Sequence, residues 1–146
     1  MLSNSCRYGI RAVIYLAGLP KSAGMTGIRK ISSDLDLPMP FLAKILQQLA
    51  KQKILSSLKG PGGGFSLLRD PRKITLLDIV NTIDGRDVFT NCVMYNGTCQ
   101  SVEADQKKCP LHDEYEKPRG ELIALFNNKT IHDLVKGADD KGSFTI

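Results

Sequence analysis

The stretch Ile54-Leu55-Ser56-Ser57-Leu58-Lys59-Gly60-Pro61-Gly62-Gly63-Gly64-Phe65-Ser66-Leu67-Leu68 holds two short strand-like runs on either side of a glycine-rich centre. Turn residues between two such runs read as a hairpin. The glycines lack the Lys-Ser/Thr that follows in a phosphate loop, and they lie between strands instead of ahead of a helix, so nucleotide binding is set aside. Two residues would be enough for a plain hairpin turn. A longer glycine run beside a lysine suits a wing tip, where bare backbone approaches a sugar-phosphate surface and a cation sits alongside. Lys59, Gly60, Pro61, Gly62 and Gly63 are therefore candidate DNA contacts.

Immediately upstream lie two short helical patterns. Thr26 is expected to cap the first, with Ile28, Ile31 and Leu35 on one face, before Asp36-Leu37-Pro38 breaks it. Pro40 fits an opening helical turn, and Leu42, Ile45, Leu46 and Leu49 fall at i, i+3, i+4 and i+7, which predicts a helix over about 39–52. Lys44, Gln47, Gln48 and Lys51 are left on its open side. Two short helices across a tight turn match a helix-turn-helix, which would aim Met39, Pro40, Ala43 and Lys44 at base edges with Gln47 available for hydrogen bonds. A merely solvated helix face explains the same residues. Further upstream, Ile10, Val13, Ile14 and Ala17 mark a buried first helix that Pro20 ends. Cys6 stands at its start, where the helix dipole could activate a thiol; small buried packing is the favoured reading.

Downstream, Thr75 and Asp78 have capping-box spacing for a helix carrying Leu76, Ile79, Val80 and Ile83, with Gly85 as its stop. Periodicity is then lost until Lys108, in the stretch that holds Cys92 and Cys99, with Cys109 at its end. Leu111, Tyr115, Leu122 and Leu125 resume a helical stripe, too apolar for a lone surface helix, so it is assigned to dimer contact. Pro118 and Gly120 predict a kink or break near Lys117. Thr130 with Asp133 caps a last short helix of Ile131, Leu134 and Val135, and from Gly137 a loose tail is expected. The fold expected is mainly α with a small β-hairpin: a winged helix-turn-helix domain over 1–85, a cysteine-bearing loop over 86–110, dimerisation helices over 111–136 and a tail over 137–146.

Charge divides along the same line. The chain of 146 residues carries a net charge of +5, but residues 1–75 hold twelve Lys and Arg against three Asp, and the remainder is net acidic. A basic half joined to an acidic one reads as a nucleic-acid footprint attached to a module with another task. With 42% hydrophobic and 24% charged residues, the composition is that of a globular domain. No run is apolar enough to span a bilayer, and Arg7 and Arg11 come too early for a secretory h-region, so a cytoplasmic protein is expected.

Four cysteines in such a setting point to metal binding or redox sensing and not to a disulfide framework. Cys92, Cys99 and Cys109 are separated by six and nine residues. That is too far for paired C-x-x-C zinc knuckles and close enough for three thiolates to meet at one inorganic centre. His112 lies three residues after Cys109, on the same helical face, and is a candidate fourth ligand. An iron-sulfur cluster is the favoured occupant, with zinc and a metal-free thiol switch left open. His132 is assigned no role. No Ser-His-Asp set, paired catalytic carboxylates or cofactor fingerprint is present, so an enzyme is not expected; a small iron-sulfur electron-transfer protein is the rival from another class.

With these residues assembled, the chain resembles the IscR/NsrR/CymR family of winged-helix regulators over Ser5 to about Lys136. Cys6-Arg7-Tyr8-Gly9-Ile10-Arg11-Ala12 is similar to the family's first-helix signature, and Leu55 to Phe65 to its wing motif. The three cysteines with Cys109-Pro110-Leu111-His112 resemble the segment that holds the cluster in its iron-sulfur members. The resemblance implies homodimers on pseudo-palindromic operators, with the third helix in the major groove and the wing in the minor groove. It also implies a two-iron two-sulfur or four-iron four-sulfur cluster reporting iron-sulfur status, oxidants or nitric oxide; the alternative it offers is a cluster-free regulator of the same fold responding to thiol oxidation or a metabolic partner protein. Two features depart from the pattern: the gap between Cys99 and Cys109 is longer than usual, and Pro118 falls where a long dimer helix is expected. Some members take the fourth ligand from a histidine and others from an N-terminal residue of the partner subunit, a place Cys6 could fill.

Overall fold

The computed structural model describes residues 2–100 and 109–139. Its helices are α1 (Asn4–Gly18), α2 (Ile28–Leu35), α3 (Met39–Lys51), α4 (Leu76–Ile83), α5 (His112–Asn128) and α6 (Ile131–Asp139), and its strands are β1 (Leu55–Leu58) and β2 (Gly64–Leu67). The mainly α fold with one hairpin is thus as expected. Helix α1 is the central element. The Ser3 hydroxyl accepts from the Cys6 N–H at 3.0 Å to cap it, and Ala12 and Val13 are fully buried where α3, α4 and α6 close around it. Gly9 permits this approach, because a Cβ there would collide with Ile83 of α4 and crowd Ile45 of α3.

Helix α2 differs from expectation at its start. Its N-cap is Gly27, with no side-chain cap. Thr26 is instead buried and bridges Phe65, each N–H donating to the other's carbonyl at 2.9 Å. A strand partner distant in sequence has taken the residue from its local capping role. Asp36 closes the helix in the left-handed conformation (φ 50°), and the Arg11 guanidinium donates to the Leu35 carbonyl at 2.8 Å, setting a cation at a helix C-terminus where the dipole favours it.

After α3, Ile54 and Leu55 are buried and lead into the hairpin, whose antiparallel register pairs Leu55 with Leu67 and Leu58 with Gly64. Its turn is closed by the Gly63 N–H donating to the Gly60 carbonyl at 2.9 Å. The sheet roots in the core through Leu55 and Phe65, while Ser57, Leu58 and Lys59 project outward.

The capping box of Thr75 and Asp78 forms, with both bonds at 3.1 Å, and Gly85 follows α4 with φ 85°. Helix α5 is continuous through Pro118, so of the kink or break expected near Lys117 the break does not occur. Proline removes one N–H and strains the preceding turn, yet Pro118 faces solvent and Leu122, Ile123 and Phe126 anchor the following turns. The cap of Thr130 and Asp133 also forms. From there α6 returns to the body, stitched to the start of α4 by Leu76 N–H to the Lys129 carbonyl and Ile131 N–H to the Ile74 carbonyl, both 2.9 Å. Ile131 is fully buried, and Leu134 and Val135 pack against the main core. The helix runs to Asp139, so the first residues expected in a loose tail are helical; 140–146 lie outside the described residues.

Candidate nucleic-acid interface and cysteine centre

Leu42, Ile45, Leu46 and Leu49 turn inward on α3, which leaves its opening turn and the Lys44–Gln47 side facing solvent. Met39 and Pro40 are exposed there, and so is Phe41, at 64%. A cleft of about 450 Å³ lies between the start of α2, α3 and the hairpin, and Arg29, Ala43, Gln47, Lys59, Gly60 and Gly63 line it. The fold thus brings residues of the third helix and the wing onto one concave surface. Met39, Pro40 and Lys44 stand beside the cleft on α3, and Pro61 and Gly62 at the exposed hairpin tip. Arg29, Lys44 and Lys59 form no ion pair among the described residues, so their charges are available to a polyanion. Gln48 does not belong to this surface: its Nε2 donates to the Thr82 carbonyl at 2.7 Å and ties α3 to α4.

Sequence reasoning missed Arg29 and Phe41. Phe41 was readable, like Met39, as a large apolar residue off the buried face of α3, whereas Arg29 had no distinguishing pattern.

The cysteine loop begins three residues beyond the buried Phe89. Cys92 N–H donates to the Gly97 carbonyl at 2.8 Å, Cys99 N–H to the Thr90 carbonyl at 3.1 Å, and Asn91 bridges Thr98, a tight return that brings Cys92 and Cys99 together. Cys109 stands just before α5, its carbonyl accepting from the His112 N–H at 3.1 Å. All three thiols are free and partly buried, and that of Cys92 is close enough to the other two for both to act on its titration. The Met94 N–H, burial notwithstanding, and then the Tyr95 N–H and the two neighbouring thiols hold Cys92 below the ordinary thiol range. At Cys109 the Leu111 N–H pulls the other way, but burial and the charges of Cys92 and Cys99 raise it.

Among the described residues no set of three or more His, Cys, Asp or Glu side chains is arranged to hold a metal ion. The loop does bring the Cys92 thiol close enough to Cys99 and Cys109 to feel both, and thiols are the donor type suited to a bulkier iron-sulfur core. The His112 ring points toward Glu116, with Nε2 to Oε2 at 3.9 Å. Arg119 of α5 reaches the trio, donating from Nη2 to Cys99 Sγ at 3.0 Å. Cys6 is fully buried with Val80 and Phe89, and burial, followed by the nearby Asp84, pushes its thiol up to about 12. It is a packing group in this fold.

A second core joins the two surfaces. Cys6, Val80 and Phe89 pack against Leu122, Ile123 and Phe126 of α5, and the rings of Phe89 and Phe126 meet edge to face at 5.4 Å. The segments flanking the cysteines are therefore seated on α4, which Gln48 links to α3.

Residues 2–137 match the Rrf2 family, described as an iron-dependent transcriptional regulator. The chain belongs to the Rrf2 family. It is 32% identical over all of its length, and 98% of the other's, to an Aquifex aeolicus protein classed as an HTH-type transcriptional regulator. It is 28% identical to the HTH-type transcriptional regulator IscR of Escherichia coli, over 94% of this chain and 82% of that one. Among solved structures, CymR, the global cysteine regulator of B. subtilis, superposes with a TM-score of 0.77 at 20% identity, over 93% of this chain and 96% of that one. T. potens IscR superposes with 0.72 at 21% identity, over 100% and 93%. As an Rrf2 protein the chain is a DNA-binding transcription regulator with a winged-helix fold, and not an enzyme. None of its described helices is long and apolar enough to cross a membrane.

Proposed function

We propose that this Rrf2 protein is a homodimer that grips a pseudo-palindromic operator with α3 in the major groove and the hairpin as a wing, and that Cys92, Cys99 and Cys109 hold an iron-sulfur cluster governing that grip. His112 is the candidate fourth ligand, once its ring turns from Glu116. The observation that carries the reading is the meeting of three half-buried thiols at one end of the second core, in a chain whose family is described as iron-dependent. When bound, a cluster would supply a centre whose charge and integrity respond to electrons, oxidants and iron supply. The protein's own part is mechanical. Drawing the thiols toward one point pulls on Phe89 and α5, and the second core passes that displacement to α4 and, through Gln48, to the helix that faces DNA. A coupling of ~1–3 kcal/mol between the two sites changes operator occupancy roughly five- to hundredfold.

The test is anaerobic purification with iron and sulfide counts and a visible spectrum, followed by operator binding with and without the chromophore. Loss of colour in each of Cys92→Ala, Cys99→Ala and Cys109→Ala is expected, and full colour in all three refutes the ligand set. The low-lying Cys92 thiol and the structural likeness to CymR favour one second reading, a cluster-free regulator that answers to thiol oxidation. Iron-free protein whose DNA affinity changes with oxidant would establish it.

A further inference from the structure

Arg119 makes a set of contacts that neither the fold nor DNA binding requires. Its Nη2 donates to Cys99 Sγ at 3.0 Å and to the Asn91 carbonyl at 3.5 Å, and its guanidinium carbon lies 4.8 Å from the centre of the Tyr115 ring. Its Nε–H is buried and has no partner among the described residues. Folded proteins seldom leave such a donor empty, and a charged one is costlier than most. Everything else about the side chain is fixed. Tyr115 holds its plane, and Leu122, Ile123 and Phe126 on the next turns lock α5 against the body. The orphaned donor therefore sits on a rigid cation already bonded to one of the three sulfurs. Cys99 is one of three cysteines in that loop, and sulfur bound to iron is an anionic acceptor.

We propose that Arg119 is a positioning and tuning residue of the cysteine centre, its Nη2–H holding Cys99 and its unpaired Nε–H donating to a further anionic sulfur when the inorganic core is bound. This rests on the reading of Cys92, Cys99 and Cys109 as cluster ligands. Hydrogen bonds and positive charge near cluster sulfurs stabilise the reduced, more negative form and so raise the reduction potential. Arg119 also sits where the cysteine loop and α5 meet, so the same fork that biases the electron count reports it to the helix.

The experiment uses the full chain, reconstituted anaerobically with ferrous iron and sulfide, as wild type, Arg119→Gln and Arg119→Lys. Iron content, the visible circular dichroism spectrum and the midpoint potential are measured. Both variants are expected to load iron, because the ligands are intact. Arg119→Gln is expected to shift the reduction equilibrium tenfold or more toward the oxidised form, ~59 mV for a one-electron couple. Arg119→Lys, which keeps the charge but loses the fork, should fall between. Wild-type potential and spectrum in Arg119→Gln would overturn the proposal while leaving the cluster reading intact. Wild-type protein that takes up no iron or sulfide would overturn the cluster reading itself, and this proposal with it. If Arg119→Gln fails to fold by far-ultraviolet circular dichroism, Arg119→Lys decides alone, and an unshifted potential there refutes the role of the fork.

Discussion

Alanine at Gly64 should unseat the wing. Gly64 has φ 144°, a region that side-chain-bearing residues adopt only under strain, and that strain costs ~1–3 kcal/mol. A methyl group there would also overlap the backbone carbonyl of Thr26 and lie 2.8 Å from the Gly27 nitrogen. Relieving the overlap means moving Thr26 away and giving up its two 2.9 Å bonds with Phe65, each contributing ~0.5–1.5 kcal/mol. The combined loss is about 2–6 kcal/mol. Gly62 is the control: its φ of 73° is also unfavourable for alanine, but nothing lies within reach of an added Cβ, so Gly62→Ala should cost only ~1–2 kcal/mol. Urea unfolding of the two variants side by side measures the difference, and DNA affinity at a concentration where both are folded shows whether the wing has moved against α2. A Gly64→Ala variant no less stable than Gly62→Ala, with equal operator affinity, would refute this account of how the hairpin is held.

Lys44→Ala and Lys59→Ala should each weaken DNA binding across sequences and reduce the slope of log K against log salt by about 1, read from titrations at several salt concentrations; unchanged slopes would remove both from the interface. Phe89→Ala deletes a buried ring and its edge-to-face partner, at about 3–5 kcal/mol, and should leave apo-protein DNA binding measurable while blunting its response to iron loading. Because burial raises the Cys6 thiol from 9.0 to about 12, its contribution to stability is complete below pH 9 and lost as pH climbs toward 12. Cys6→Ala should flatten that alkaline decline in denaturation curves, and in the native iron-free protein Cys92 should react with iodoacetamide well before Cys6, as peptide mapping would show.

The parts of the fold that could be read from the chain are those built from neighbours. Leu42, Ile45, Leu46 and Leu49 declare a helix face within eight residues, and the caps at Thr75 and Thr130 need only the acidic residue three positions on. The three cysteines stood out because they fall where helical periodicity stops. Thr26 was misread because Phe65, its actual partner, lies far along the chain, and a pairing of that kind leaves no local mark. The break allowed for at Pro118 is absent for the opposite reason: the local rule is sound, but tertiary anchoring at Leu122, Ile123 and Phe126 keeps the helix continuous. Gln48 looked like a solvent-facing residue because α4, which receives its hydrogen bond, is placed by the fold alone. Arg119 carried no signal, since Cys99 and Asn91 reach it only once the loop has turned back on α5.

The span from Thr90 to Pro110 is held at both ends, by Phe89 on one side and by α5 on the other. Chain closure between fixed posts grows only slowly more expensive, by ~0.6 kcal/mol for each doubling in length. A change in the number of residues between these two posts is therefore expected to cost the fold little. A grafted span of different length should be accepted there in the laboratory while the operator-reading body folds unchanged.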